Sequence, residues 1–112
     1  MKDTVLQITN HGMGKGDPVL QLKLVGKYLE LIQSNESLPG AICFYTDGVK
    51  LVTEGSPVLE QLRALESRGV RLIVCSTCLE HYALTEKVQV GIVGGMTDII
   101  EAQTKADKVI TL

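Results

Sequence analysis

Apolar side chains recur along this chain in two rhythms that take turns. Val5–Ile8, Ala41–Tyr45, Arg71–Val74 and Lys108–Ile110 are short apolar runs with little alternation, the pattern of strands covered on both faces. Ile92–Val93, or Val88 to Val93 taken more loosely, is a fifth and weaker run. Between these runs Leu22, Val25, Leu29 and Ile32 step by three and four, as do Val58, Leu62 and Leu65, which predicts helices with one apolar stripe. Strand and helix patterns alternating in this way predict an α/β fold: a three-layer α/β/α domain of flavodoxin-like architecture with a mostly parallel sheet. Right-handed crossovers between parallel strands cover both faces of such a sheet.

The helix ends are marked as well. Asp17-Pro18 and Ser56-Pro57 each put a side-chain acceptor at the cap and proline at the first helical position, so helices are expected from about 18 and 57. Thr77 and Glu80 fit a capping box, which predicts a helix starting at Thr77 with Cys78 as its first residue. Thr97 caps a further predicted helix at about Asp98. Gly69 is placed to end a helix, and Ser37-Leu38-Pro39-Gly40 breaks the chain before the second strand. No linker or repeat interrupts the pattern, and residues 1–112 are expected to form one domain. Ligands in such sheets bind beyond the carboxyl ends of the strands, which nominates Asn10 to Gly16, Thr46 to Gly55, Cys75 to Thr77 and Gly91 to Thr97.

Composition narrows the functions. A net charge of −2 with interspersed signs offers no basic stripe, so nucleic acid is not an expected partner. No apolar stretch reaches the roughly 18 residues of a membrane span, and Met1-Lys2-Asp3 does not start a signal-peptide pattern. A cytoplasmic protein that does not engage the membrane is expected. The chain has 3 cysteines, an odd number with one closely spaced pair, which suits working thiols in a reducing compartment better than a disulfide framework.

That pair is Cys75-Ser76-Thr77-Cys78. The third strand pattern stops at its start and a helix is expected to open within it. Helix N-termini and C-x-x-C arrangements favour thiolate over thiol, and a thiolate attacks sulfur or holds a persulfide. Cys75 and Cys78 are therefore the candidate catalytic residues, with Ser76 and Thr77 as binding residues between them. Cys43, between Ile42 and Phe44, is expected in the core. Cys75, Cys78 and His81 also fit C-x-x-C-x-x-H, and with His11 they could complete a zinc site. An unpaired C-x-x-C signals this poorly, and no metal or other cofactor is expected.

Asn10, His11, Gly12 and Met13 open a glycine-rich loop after the first strand. Its G-x-G-x-G spacing departs from the dinucleotide fingerprint. A lid or anion-accepting turn over the cysteines is the alternative to a plain mobile loop. Gly94 and Gly95 could add amides to the same pocket, although a simple turn explains them too. Asp47-Gly48 is expected to be a turn, and Tyr28 and Tyr82 core or interface residues.

Several separate blocks together carry a family resemblance. They are Tyr45 to Leu51, Glu54 to Leu59, Gly69-Val70, Cys75 to Leu79, Asp98 to Ala102 and Ala106 to Ile110. From about Val5 to its end the chain resembles the DsrE/DsrF-like family, and within it the C-terminal domain of YedF-type selenium-metabolism proteins. That resemblance implies a parallel-sheet α/β/α domain, homo-oligomers, and relatives that relay sulfur as a cysteine persulfide, with Cys75 matching their sulfur-carrying cysteine. Sulfur-donor and sulfur-acceptor proteins, TusA-like ones among them, are the implied partners. YedF-type proteins usually carry a TusA-like domain ahead of this one, whereas here the first strand pattern begins at Val5, as in a stand-alone version or an excised part. They also usually read Cys-Gly-Thr-Cys where this chain has Ser76. The expected function is a sulfur or selenium relay with persulfide at Cys75 and Cys78 assisting. A ligand-binding or redox-sensing module without catalysis is the alternative.

Overall fold

A computed structural model describes residues 2–112. Its sheet has five strands: β1 (Thr4–Ile8), β2 (Ala41–Phe44), β3 (Arg71–Cys75), β4 (Ile92–Gly94) and β5 (Lys108–Thr111). All pair in parallel, in the order β4-β3-β2-β1-β5. The mostly parallel sheet expected from the apolar runs is thus wholly parallel. Residue 88 lies outside β4, because Val88 makes an isolated antiparallel bridge with Thr53 instead.

Four α-helices connect the strands: α1 (Pro18–Ser34), α2 (Leu59–Ser67), α3 (Ser76–His81) and α4 (Met96–Lys105). The chain steps from β1 to β4 in one direction and then returns past β1 to β5. Right-handed crossovers therefore put α4 on the face opposite α1 and α2. Side chains confirm its place, since Gln103 of α4 hydrogen-bonds Gln7 of β1, which in turn donates to Thr111 Oγ1 of β5 at 2.8 Å.

α1 begins where its cap signal places it, with Asp17 Oδ2 accepting from the Leu20 amide at 3.1 Å. The other starts differ. Ser56 Oγ does accept from the Val58 amide at 3.2 Å, but this closes a turn and α2 opens at Leu59. α3 starts at Ser76 rather than Thr77, with Cys75 as the residue before it. Gly95 precedes α4 in place of Thr97, and its amide donates to Asp98 Oδ2 at 2.8 Å. Ser56 stands ahead of α2, no side chain caps α3, and Asp98 caps α4 from within, so the local sequence announces an end without fixing its register.

Val25, Leu29 and Ile32 of α1, Leu62 and Leu65 of α2, and Ile99 and Ala102 of α4 are buried against the sheet. The expected loop Thr46 to Gly55 is different: Thr46–Val52 winds into a 3-10 helix, and Gly48, Val49, Leu51 and Val52 are buried. This segment caps the carboxyl ends of the central strands. Among the described residues no helix is long and apolar enough to cross a membrane.

Candidate functional site: the thiol pair at the strand tips

Parallel register and side-chain alternation decide where the two thiols point. Gln7, Cys43 and Ile73 are register partners across β1, β2 and β3, so they share the face that α4 covers. Cys75 lies two residues beyond Ile73 and falls on that face too. Its Sγ sits 3.9 Å from Met96 Sδ, and the residue is only 1% exposed. Cys43 is fully buried, as its apolar neighbours require, and burial pushes its thiol up to about 11.

Cys78, in the first turn of α3, is half-buried and faces the 3-10 segment. The Thr46 amide donates to its Sγ at 3.1 Å. The expectation that the helix N-terminus would favour the thiolate is not met at this residue. Cys78 is raised above the ordinary thiol value, by burial first and by neighbouring Cys75 as well, while the Thr46 amide works in the opposite direction. α3 has 6 residues, too short to sum many peptide dipoles, so desolvation of the sulfur wins.

Residues that the sequence left aside complete this surroundings. Tyr82, one helical turn after Cys78, donates its hydroxyl to Asp47 Oδ1 at 2.5 Å. Lys50 Nζ lies 3.3 Å from the same oxygen and 4.5 Å from the Tyr82 ring centroid. Asp47 is held below the usual carboxylate range, mainly by the Tyr82 hydrogen bond, and the same bond raises Tyr82. An open cleft of about 300 Å³ starts at Tyr82 and is lined also by His11, Lys50, Glu54 and Ser56. The spacing of Cys78 and Tyr82, four apart on one helix face, was the signal available for Tyr82. Nothing local marked Met96 or Thr46.

The other sequence candidates separate. His11 reaches the cleft, and part of its loop is held by hydrogen bonds. Gly12 donates to the Asn10 carbonyl at 2.7 Å, Met13 to the Gln21 carbonyl at 2.9 Å, and Asn10 Nδ2 to the Gly14 carbonyl at 2.8 Å. The Gly12 and Met13 amides are thus already paired. The Gly95 amide is engaged by Asp98, and Gly94 packs beside the same carboxylate. Ser76 and Thr77 open α3, Ser76 half-buried and Thr77 exposed. Ser76 is not among the positive-φ residues, so replacing glycine there introduces no backbone strain. His81 is exposed and packs edge-on against Tyr82. Among the described residues no group of three or more His, Cys, Asp or Glu converges to hold a metal ion.

These features define a wholly parallel α/β/α domain with a thiol pair at its strand tips. The DsrE/DsrF-like family model matches residues 4–112, and the chain belongs to that family, which is associated with sulfur relay. Solved structures of the same fold include MTH1491, a protein of unknown function from Methanobacterium thermoautotrophicum, at 18% identity over 97% of both chains with a TM-score of 0.71. The ychN protein from E. coli is 19% identical over 97% of this chain and 98% of its own, with a TM-score of 0.67. BT1422 from Bacteroides thetaiotaomicron, of unknown function, is 14% identical over 98% and 95%, with a TM-score of 0.70. At these identities the likeness is one of fold. No curated protein matches the chain.

Proposed function

We propose that this protein relays sulfur as a cysteine persulfide, with Cys78 as the thiol that meets donor and acceptor and Cys75 as the thiol behind it. One observation carries this assignment: within a DsrE/DsrF-like fold, the half-buried Cys78 has an amide donor at its sulfur, whereas Cys75 is covered. The resemblance alone would give the carried sulfur to Cys75, and its place beneath Met96 moves first contact to Cys78.

Cys78, as thiolate, attacks the outer sulfur of a donor persulfide. The donor's S–S bond breaks, the donor leaves as a thiolate, and Cys78 carries the sulfur. An acceptor thiolate then takes that sulfur and Cys78 departs as thiolate. Attack by Cys75 on Cys78 Sγ instead releases hydrosulfide and leaves a Cys75–Cys78 disulfide, the two thiols being oxidised as the outer sulfur is reduced. The raised thiol value limits the thiolate present at neutral pH but makes that thiolate a stronger nucleophile. Donor and acceptor are proteins with exposed thiols, TusA-like ones among them, in a reducing cytoplasm. The selenium chemistry implied by the YedF-type resemblance would use the same atoms.

Self-association belongs to the same proposal. Ile92 and Val93 on edge strand β4, with Met96 and Ile100 of α4, leave large apolar side chains exposed, Ile92 at 66%. An uncovered apolar edge beside the thiols suits a second copy of the chain.

The deciding experiment is incubation with a persulfide donor followed by intact and peptide mass spectrometry of the wild type, Cys75→Ser and Cys78→Ser. A labile sulfur on Cys78 that persists in Cys75→Ser supports the assignment. Sulfur confined to Cys75 reverses the two roles, and inert thiols return the protein to a binding or redox-sensing module.

A further inference from the structure

We propose that the Thr46 backbone amide is a catalytic donor to Cys78 and that Tyr82 and Asp47 are positioning residues that hold it on the sulfur. Its role in transfer rests on the relay function above, whereas the contact itself does not.

Thr46 is a β-branched residue at φ 49°, a left-handed conformation such residues rarely adopt and one that needs support from its surroundings. Here the support is visible. Its hydroxyl lies 2.6 Å from the Thr9 carbonyl at the end of β1 and 2.7 Å from the Tyr45 carbonyl. The bend points the amide away from the sheet ladder and onto Cys78 Sγ at 3.1 Å. The next residue, Asp47, accepts from Tyr82, which lies on the same face of the helix one turn after Cys78. Two consecutive residues of the 3-10 segment therefore grip two residues one turn apart, and neither contact can slide without the other. Lys50 closes the clasp from the side, paired with Asp47 and over the Tyr82 ring.

The chemistry needs such a donor twice. Cys78 is negative when it attacks and negative again when it leaves its sulfur to the acceptor, and an oriented N–H favours both states in a partly desolvated site. No proton has to move. The ionisable groups around this sulfur are Cys75 at the end of β3, Asp47 and Lys50 in the 3-10 segment, Tyr82 and His81 at the end of α3, and His11 across the cleft. Asp47 itself disfavours a thiolate by its charge, so neutralising it would mix two effects. Tyr82→Phe removes the clasp without changing charge.

The test uses the full chain carrying Cys75→Ser, so that Cys78 is the one thiol at the tips. The Thr46 amide proton, followed by nitrogen-15 correlation spectra, is expected to shift with the same midpoint as alkylation of Cys78, and to lose that shift in Cys78→Ser. Tyr82→Phe in this background is expected to move both midpoints up, slowing labelling at neutral pH about three- to tenfold, while Tyr28→Phe on α1 moves neither. A Thr46 amide that ignores Cys78 ionisation overturns the proposal, as does a folded Tyr82→Phe protein with unchanged midpoints. Loss of persulfide transfer with the Thr46 response intact would remove the relay and leave the contact standing.

Discussion

Gly48 passes so close beneath Ile8 that a Cβ at position 48 would overlap the Ile8 carbonyl oxygen. The Asp47-Gly48 dipeptide is therefore more than a turn, because this approach seats the 3-10 segment on the end of β1 and fixes where Thr46 and Asp47 stand. Gly48→Ala is expected to destabilise the fold by about 2–3 kcal/mol, since backbone rather than a flexible side chain must give way. Urea unfolding measures it, and a midpoint equal to wild type would mean the segment is loosely seated.

The burial of the three thiols predicts an order of labelling. Under native conditions iodoacetamide should modify Cys78 first and Cys75 far more slowly, and Cys43 should react only after denaturant is added. Peptide mapping at increasing times reads this directly. Fast labelling of Cys75 would show that Met96 moves aside readily.

Cys43 also makes stability depend on alkaline pH. Burial raises its folded-state value from 9.0 to about 11, so an unfolded chain loses this proton more easily than the folded one. Its contribution is fully present below 9.0 and is lost as pH rises towards 11. Cys43→Ala should lower overall stability yet flatten the alkaline decline, measured as urea midpoints across that window. An unaltered slope would assign the decline to other groups.

Asp47 acts at the acid end with the opposite sign. Its folded-state value lies below the ordinary 3.8 because Tyr82 donates to the carboxylate. Its contribution is present above 3.8 and disappears as pH falls through the depressed value. Asp47→Asn should therefore shallow the acid limb of the stability profile. Identical acid limbs would show that the hydrogen bond to Tyr82 does not form in solution.

The exposed edge gives a test of self-association. If a second copy covers β4 and α4, Ile92→Lys should shift the mass seen by light scattering to that of one chain without loss of secondary structure. A wild-type protein that is already a single chain at high concentration would end the proposal.

Local chemistry along the chain was enough to determine the class of fold. Unalternated apolar runs mark strands covered on both faces, three-and-four spacing marks the helices between them, and Cys43 among Ile42 and Phe44 is legible as core. The closely spaced Cys75 and Cys78 at the end of the third run also mark the candidate site. The start of α1 is legible in Asp17-Pro18, whereas the other three helices start one or two residues from their signals because a capping acceptor does not always stand at the first residue. What tertiary structure alone decided is which thiol can be reached and what touches it. Alternation on β3 turns Cys75 beneath Met96, a residue 21 positions away, and the bend at Thr46 brings an amide 32 positions distant onto Cys78. Contacts between segments so far apart depend on strand order and crossover hand, which no short window of sequence contains.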